Sequence, residues 1–565
     1  MNNPVYVLGT GLSHDGSACL LKDGKILFAI EKERISRIKH DGGNDLLAVQ
    51  YCLDAAGITI GDLSLIVQCA NFEKEEINKD RYKGQRLFTA GCTVPFVTIS
   101  HHLAHAWSAA GTCPFDKCNI MVIDGCGSFY HQCDDLNGSI IPSDVNSVPG
   151  LYGEKDSFYF YDGKSIAQVY KDFSIIKYDH KPEQVFLPTT RNSIGGLYSM
   201  ASNYCFGSFD DAGKLMGLAP YGNREKYKEQ LFRLEEGRVF VNEEVMHHYF
   251  TAPSDAVTRP FYDHFQYYAD IARWVQDEAE RAILYVIQHR LQLHPHENLA
   301  YAGGVALNAV ANAKILQQTN IKQLYIEPAA GDNGLAIGCA FFGWTQILKQ
   351  EKLKHRGSTC FGKIYSDIEI RNAITEYSKE NPAIQVEQNK NYIEAAAQLL
   401  ADGKTIGWFQ LGSEFGPRAL GRRSILADPR IKNIQPHINR QIKLREDFRP
   451  FAPAVLLDDC STYFQQGWES PYMILIDQIK EEWKEQLPGI VHVDGSCRVQ
   501  TVKDDSEPFY QLLQSFKKIT GISVLLNTSF NRKAMPIVET PEQAIRFFYE
   551  SGLDALVLND YIFVK

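Results

Sequence analysis

Two histidines four residues apart, His101 and His105, stand in Ser100-His101-His102-Leu103-Ala104-His105. On a helix they share one face, and two imidazoles on one face make a pair of metal ligands. Further ligands must come from elsewhere, and oxygen donors suit best. Asp332 lies in Gly331-Asp332-Asn333-Gly334, a loop leading into an apolar helix, and Asp124 ends a strand in Asp124-Gly125-Cys126-Gly127. Two histidines with carboxylates suit iron, zinc or manganese. The alternative is a pair of surface or capped histidines. A third histidine, His14, sits in the small-residue loop Gly11-Leu12-Ser13-His14-Asp15-Gly16-Ser17. There it is either a general base beside a bound phosphoanhydride or a residue that fixes the loop.

The second concentration of chemistry is cationic. Nine basic residues fall between Arg418 and Arg449: Arg418, Arg422, Arg423, Arg430, Lys432, Arg440, Lys443, Arg445 and Arg449. Forked guanidinium donors on rigid loops suit phosphate or carboxylate. Gly416-Pro417 before Arg418, and Pro450-Phe451 after Arg449, turn these two side chains inward. A solvated basic face is the plain alternative. Nucleic acid ranks below a small anion, because few aromatics are interleaved for stacking. Arg498 and the run Asn527-Thr528-Ser529 are placed to complete such a pocket.

These residues need elements to hold them. A strand at Val5–Gly9 precedes the His14 loop, then Ser17–Lys22 and Lys25–Ile30 form a hairpin about Asp23-Gly24. The pattern recurs: a strand Asn119–Asp124, a glycine loop, then Ser157–Tyr161 and Lys164–Tyr170 about Asp162-Gly163. Asp-Gly suits a type I′ turn, whose two central residues have positive φ. A long amphipathic helix over Tyr268–Gln292 follows, then a short strand Asn298–Ala302, the pair Gly303-Gly304 and a helix from Val305. Glycines at a helix N-terminus allow close approach to an anion. Three glycine sites in a two-lobed repeat resemble the nucleotide clamp of the actin and sugar-kinase fold. Past a charged, breaker-containing stretch at Gln350–Thr359 comes a second α/β unit. Its expected parts are strands at Lys404–Phe409 and Gly521–Leu526, a loop Asn527–Arg532, a helix capped by Thr540-Pro541-Glu542-Gln543, and a hairpin about Asn559-Asp560.

The chain has 565 residues, which suggests about three or four domains or two large ones. A net charge of −10 argues against general nucleic-acid coating, though not against one local anion site. Thirteen scattered cysteines without a CxxC pair read as reduced thiols of a cytosolic protein. The N-terminus shows no secretory pattern, and Leu335–Leu348 is too short and interrupted to span a bilayer, so a cytoplasmic location is expected.

Together the motifs resemble the NodU/CmcH family of O-carbamoyltransferases, along nearly the whole chain. They are His14 with its loop; Glu31-Lys32-Glu33-Arg34-Ile35-Ser36-Arg37-Ile38-Lys39-His40; His101-His102-Leu103-Ala104-His105; Asp124-Gly125-Cys126-Gly127; and Gly213-Lys214-Leu215-Met216-Gly217-Leu218-Ala219. Then come Gly303-Gly304-Val305-Ala306-Leu307-Asn308; Gly331-Asp332-Asn333-Gly334; Glu414-Phe415-Gly416-Pro417-Arg418-Ala419-Leu420-Gly421; Phe448-Arg449-Pro450-Phe451-Ala452-Pro453; and Leu526-Asn527-Thr528-Ser529-Phe530-Asn531.

The resemblance implies an α/β protein with an actin-like, bilobal domain over 1–349, similar to the TsaD tRNA threonylcarbamoyl transferases. A linker at 350–364 and a YrdC-like α/β domain over 365–565 would follow. In this family the YrdC-like part makes carbamoyl-adenylate from carbamoyl phosphate and ATP, with Mg accompanying the ATP. The first domain, which carries a metal, passes the carbamoyl group to an acceptor hydroxyl. Carried over by motif, the metal ligands would be His101, His105 and Asp332, with Asp124 an optional fourth, and iron is favoured over zinc or manganese. His14 would be the base for the hydroxyl. Gly195, Gly196, Asp210, Lys214, Gly303, Gly304 and Asn308 would surround the adenylate. Arg418, Lys443, Arg449, Arg498, Asn527 and Ser529 would hold carbamoyl phosphate and the ATP phosphates. The partners would be small molecules and a second copy of the chain, with neither nucleic acid nor membrane.

Two departures bear on the ATP pose. The loop Asn531–Pro536 has Ala534-Met535 where the family has Gly-Glu before the proline, and Arg422 replaces an Asn. A tRNA-modifying carbamoyl transferase and a non-catalytic nucleotide-binding regulator are the competing functions. The acidic total speaks against the first and the intact His14, His101, His105, Asp332, Arg418 and Arg449 against the second. The acceptor pocket is expected among the inserted segments 71–92, 132–155 and 224–267.

Overall fold

The computed structural model describes residues 3–11, 13–43, 46–70, 92–145, 152–176, 192–250, 261–380 and 385–565. The chain divides into two compact units, one of Met1–Lys32 and His40–Ser358, the other of Glu33–Lys39 and Thr359–Lys565. The excursion of Glu33–Lys39 into the second unit has no counterpart in the sequence reading.

In the first unit, strands β1 (Tyr6–Gly11), β2 (Ser17–Lys22), β3 (Lys25–Glu31), β4 (Leu65–Ala70) and β5 (Phe96–Ser100) form a sheet ordered β3-β2-β1-β4-β5. The first three are antiparallel, while β4 and β5 run parallel to β1. A second sheet holds β6 (Cys118–Ile123), β7 (Ser139–Ile140), β8 (Tyr152–Tyr161) and β9 (Ile166–Ile175), joined by β12 (Asn298–Ala302) and β13 (Gln323–Ile326). Strands β6, β8 and β9 are antiparallel, and β12 and β13 run parallel to β6. Each sheet therefore contains a three-stranded meander extended by two parallel strands from its first member, the repeat that the sequence shows only weakly, and the second adds β7 beside β9. A separate hairpin, β10 (Phe232–Glu235) and β11 (Arg238–Val241), follows the helix Ile194–Phe206. The long helix spans Phe265–Leu293 and the apolar helix Leu335–Phe342 is buried throughout but for Phe342.

Local expectations fail at two places in this unit. Asp23 and Gly24 have φ of 50° and 79°, as a type I′ turn requires, but at Asp162-Gly163 only the glycine is positive. There the Asp162 carboxylate accepts from the amides of Lys164 and Ser165 at 2.8 and 2.7 Å, so a wider, side-chain-stabilised loop replaces the tight turn. The helix after Gly303-Gly304 starts at Ala309, not Val305, because Asn308 caps it by accepting from the Ala311 amide at 3.2 Å.

The second unit is built on an eight-stranded sheet. Its strands are β14 (Gln385–Gln388), β15 (Ile406–Phe409), β16 (Arg423–Ala427), β17 (Ala452–Leu456), β20 (Gln500–Val502), β21 (Val524–Ser529), β22 (Ala555–Leu558) and β23 (Tyr561–Val564). The order is β14-β23-β22-β15-β16-β21-β17-β20, and a small pair, β18 (Ile476–Gln478) and β19 (Ser496–Arg498), lies apart from it. The helix Pro508–Thr520 turns Phe509, Leu512, Leu513 and Phe516 onto the sheet, at the spacing of one helical face. Strand β21 continues through Ser529 because β16 pairs with it to the end, so Asn527 and Ser529 belong to a strand and not to the expected loop. At the helix Pro541–Glu550, Thr540 caps Gln543 as expected, but the Gln543 side chain accepts from Glu539, one residue before the cap.

All thirteen cysteines are free thiols. Among the described residues no helix is long and apolar enough to cross a membrane.

Candidate functional site

The helix His101–Thr112 begins directly after β5, which carries its first turn into the interior. His101 and His105 are fully buried, one above the other on its inner face. Their Nε2 atoms are 3.1 Å apart. Asp124, one residue past β6, brings Oδ2 to 2.9 Å from His101 Nε2 and 3.6 Å from His105 Nε2. Asp332 brings Oδ1 to 3.3 Å and 3.6 Å from the same nitrogens. A tetrahedral ion with bonds of about 2.1 Å has ligand–ligand edges of about 3.4 Å, so this donor set fits a divalent cation. Burial disfavours charge on either imidazole, yet the two aspartates outweigh it and hold both above the usual histidine range. The aspartates are held below the ordinary carboxylate range despite their own burial. Charge of both signs at the bottom of a buried cluster is what a cation site looks like without its cation.

His102 points elsewhere. Its Nδ1 lies 2.8 Å from the Ser157 hydroxyl, and burial pushes its pKa down to about 3. Its amide donates to Glu154 Oε2 at 3.1 Å, and the same oxygen accepts from Ser128 at 2.9 Å. Glu154 thus ties the histidine helix to the Asp124 loop, and buried Lys171, 2.5 Å away, balances its charge. No motif read from the sequence marks this pair. Ser13, whose hydroxyl donates to Asp332, and Cys69, whose thiol lies beside His101, were equally unmarked.

His14 stands at the rim of the cluster. Its ring is 58% exposed, with Nε2 3.4 Å from Asp332 Oδ2 and Nδ1 3.2 Å from Asp15 Oδ2. The other Asp15 oxygen meets His40 Nδ1 at 2.8 Å. Loss of solvent lowers the His14 pKa, but Asp15 and Asp332 override this and raise it to about 10. Asp210, which is exposed, adds to the same pull.

The glycine residues converge on Asp124. Gly304 donates its amide to Asp124 Oδ1 at 3.0 Å, and Ser193, the cap of the Gly195-Gly196 helix, donates to the Asp124 carbonyl at 2.9 Å. Gly303 has φ +92°, and a Cβ there would lie 2.3 Å from the Ile123 carbonyl oxygen. Only glycine lets these two strand ends come so close. Gly195 backs onto Gly125. Lys214 is buried against Asp211, 2.7 Å away. Asn308 is spent on the fold: besides its capping role it exchanges amide bonds with Gln276 at 3.0 and 3.2 Å.

In the second unit the nine basic residues separate into two groups. Arg422 pairs with Glu507, Arg430 with Asp428 and Arg440 with Asp447. Arg423 is wholly buried, donating to the Gln410 carbonyl and lying over the Phe409 ring. Lys432 is exposed. The remaining four, Arg418, Lys443, Arg445 and Arg449, share one locality with Arg498. Burial and then the neighbouring guanidiniums hold Arg445 and Arg498 well below the ordinary arginine range and bring Arg418 down to about 10. Burial likewise lowers Lys443, with Arg445 and Arg449 adding to it. Among the described residues no ion pair involves Arg418, Arg445 or Arg498, and Glu446 meets Arg449 only at 3.9 Å. Arg445 was not among the residues expected to bind.

The frame around these cations comes from the long glycine-containing motif. Buried Glu414 accepts the amides of Leu420 and Arg422 at 2.6 and 2.7 Å, which shapes the loop carrying Arg418. Asn527 donates to the Ala419 carbonyl at 3.1 Å. Lys443 donates to the Ser529 carbonyl at 2.5 Å and to Asn531 Oδ1 at 2.6 Å. Of the segments expected to form an acceptor pocket, 71–91 lies outside the described residues. Parts of the other two line a cavity of about 960 Å³, with Ile140, Tyr152, Phe173, Arg233, Arg238 and Phe240 among its walls.

Residues 397–565 match the family described as carbamoyltransferase C-terminus, and residues 7–91 and 64–341 match carbamoyltransferase N-terminus. The chain is 32% identical over 644 residues to an uncharacterized protein of Synechocystis sp., covering 99% of this chain and 97% of that one. It is 30% identical over 588 residues to the nodulation protein NolNO of Sinorhizobium fredii, covering 98% and 79%. Over 581 residues it is 25% identical to a 3'-hydroxymethylcephem-O-carbamoyltransferase of Amycolatopsis lactamdurans, covering 97% of each.

Proposed function

The chain belongs to the NodU/CmcH family of carbamoyltransferases, and from that premise we propose that it is an ATP-dependent O-carbamoyltransferase acting on a hydroxyl of a small molecule. The observation that supports the first step is the gathering of Arg418, Lys443, Arg445, Arg449 and Arg498 in one locality, where burial first and then the neighbouring cations hold Arg418, Lys443, Arg445 and Arg498 below their ordinary ranges. An anion of several charges between them would offset that repulsion. Carbamoyl phosphate and the ATP phosphates supply those charges. Carbamoyl phosphate, ATP and one water go to carbamoyl-adenylate, pyrophosphate and phosphate. Cations fixed in advance around the transferring oxygens lower the barrier by neutralising the charge that develops on them. We read this unit as YrdC-like.

We assign the second step to the first unit, read as actin-like over residues 1–349 with a linker at 350–364. Gly195, Gly196, Gly303 and Gly304 would border the adenylate, with Asp210 and Lys214 nearby and Asn308 shaping the wall. His101, His105, Asp124 and Asp332 would hold the metal, which when bound supplies a Lewis acid for the carbamoyl oxygen. His14 takes the proton of the acceptor hydroxyl, oriented through Nδ1 by Asp15. With the Asp332 charge committed to a cation, less negative charge would remain to hold the imidazolium form of His14. The acceptor oxygen then attacks the carbamoyl carbon, and AMP leaves. A cytoplasmic setting supplies both substrates.

The test needs no acceptor. Purified protein should exchange labelled pyrophosphate into ATP only when carbamoyl phosphate is present. No exchange, or exchange without carbamoyl phosphate, would remove the adenylate step.

A further inference from the structure

The motif Glu31–His40 has no part in either step as assigned above. The chain divides inside it: Glu33–Lys39 belongs to the second unit, although Thr359 begins the rest of that unit. Within that unit Arg34 is 1% exposed, and its Nη2 donates to the Gly416 carbonyl at 2.7 Å. Gly416 has φ +115°, a conformation open to glycine, and it is followed directly by Pro417 and Arg418. A bond to the Gly416 carbonyl therefore fixes the plane from which Arg418 departs.

Arg37 does the same for a second loop. Its two terminal nitrogens donate to consecutive carbonyls, Nη1 to Ile537 and Nη2 to Pro536, each at 2.7 Å. That loop leaves β21 at Ser529 and Asn531, the residues that receive the Lys443 ammonium. It returns to Lys443 through the Lys533 amide, which donates to the Lys443 carbonyl at 2.9 Å. Asn531 Nδ2 donates to Met535 at 2.6 Å and closes the loop on itself. The loop that carries Arg418 and the loop that receives Lys443 are thus latched by guanidinium groups from residues 382 to 500 positions earlier in the chain.

The donors are cations set beside a group already crowded with cations. Burial and the charge of Arg34 lower Arg37 to about 10, with Glu33 and Glu539 partly offsetting them. A neutral donor would latch the carbonyls without adding to that repulsion. Charged latches make sense where the finished pocket is to attract a polyanion.

We propose that Glu33–Lys39 is a working part of the anion site of the second unit, with Arg34 the positioning residue of the Gly416–Arg418 loop and Arg37 that of the Ser529–Ile537 loop. This rests on the anion-site reading of that unit. The test uses full-length Arg34→Ala, Arg34→Lys and Arg37→Ala. Calorimetry measures binding of carbamoyl phosphate and of inorganic phosphate, and pyrophosphate exchange gives KM and kcat. Arg34→Ala should weaken carbamoyl phosphate binding and raise its KM by about tenfold or more, with a smaller change in kcat. Arg34→Lys, which keeps one donor and the charge, should recover most of the loss. Metal content should stay that of the wild type, showing an intact first unit. Wild-type affinity in both alanine variants would overturn the proposal. So would a fall in kcat and melting temperature at unchanged affinity, the mark of a purely structural bond. Wild-type protein that binds neither ligand would overturn the anion-site reading itself. Wild type that binds but does not exchange would remove only the adenylate step and leave the binding comparison decisive.

Discussion

Asp332 faces two ways: Oδ1 lies 3.3 Å from His101 Nε2 in the buried cluster, and Oδ2 lies 3.4 Å from His14 Nε2 at its exposed rim. One carboxylate thus joins the proposed metal ligands to the proposed base. Its charge cannot serve both fully, so occupancy of the cluster sets how strongly His14 keeps its proton.

Metal binding should therefore depend on the helix face and not on the histidine count. His105→Ala or Asp332→Asn should lower affinity for a divalent ion more than about 100-fold, since even outer partners of ligands are worth 10–100-fold. His102→Gln should leave it nearly unchanged, because His102 bonds Ser157 and not the cluster. Elemental analysis of purified variants, with competition against a chelator, measures both.

The crowding of these cations should cost stability when no anion is bound. Arg498→Gln removes one of five and should raise the melting temperature of the second unit by about 2–4 °C in phosphate-free buffer, for about 1 kcal/mol of relieved repulsion. The same change should weaken carbamoyl phosphate about 10- to 100-fold. Thermal melts with and without phosphate show both effects. A variant less stable than wild type in the absence of anion would contradict the like-charge account.

A buried acid packed against the Gly331–Gly334 loop gives a pH signature. Burial raises the Glu327 pKa to about 8, helped by Glu31 and opposed by the Ala329 amide. When unfolded it ionises near 4.5. Between these values the folded chain holds a proton that the unfolded chain has lost, so stability falls as pH rises from about 4.5 to about 8. Glu327→Gln should remove this slope and be the more stable protein above pH 8. Parallel stability curves for variant and wild type would show that Glu327 is not a neutral acid in the fold.

Much of this architecture can be read from the residues alone. His101 and His105 share a face because any helix places i and i+4 together. The carboxylates at a strand end and a helix entry are where ligands usually lie. The first hairpin follows from Asp23-Gly24. Most of the illegible parts depend on contacts distant in sequence. Four of the nine basic residues are consumed by Glu507, Asp428, Asp447 and the Gln410 carbonyl, and no local pattern says which. Lys171 and Glu154 are charges buried in their strands, and each is the other's counter-charge across the β8–β9 pair. Asn527 and Ser529 look like loop residues and become strand because β16 pairs with them. Arg34 reads as surface charge until the fold brings Gly416 to it.

The central claim is that two units divide two steps. The most direct measurement is carbamoyl-phosphate-dependent pyrophosphate exchange, alongside acceptor carbamoylation, in metal-loaded His14→Ala and Arg449→Ala. The account predicts that His14→Ala keeps wild-type exchange while transfer falls about 10²–10⁴-fold, the usual worth of a general base, and that Arg449→Ala loses exchange. Loss of exchange in His14→Ala, or its survival in Arg449→Ala, would contradict the division.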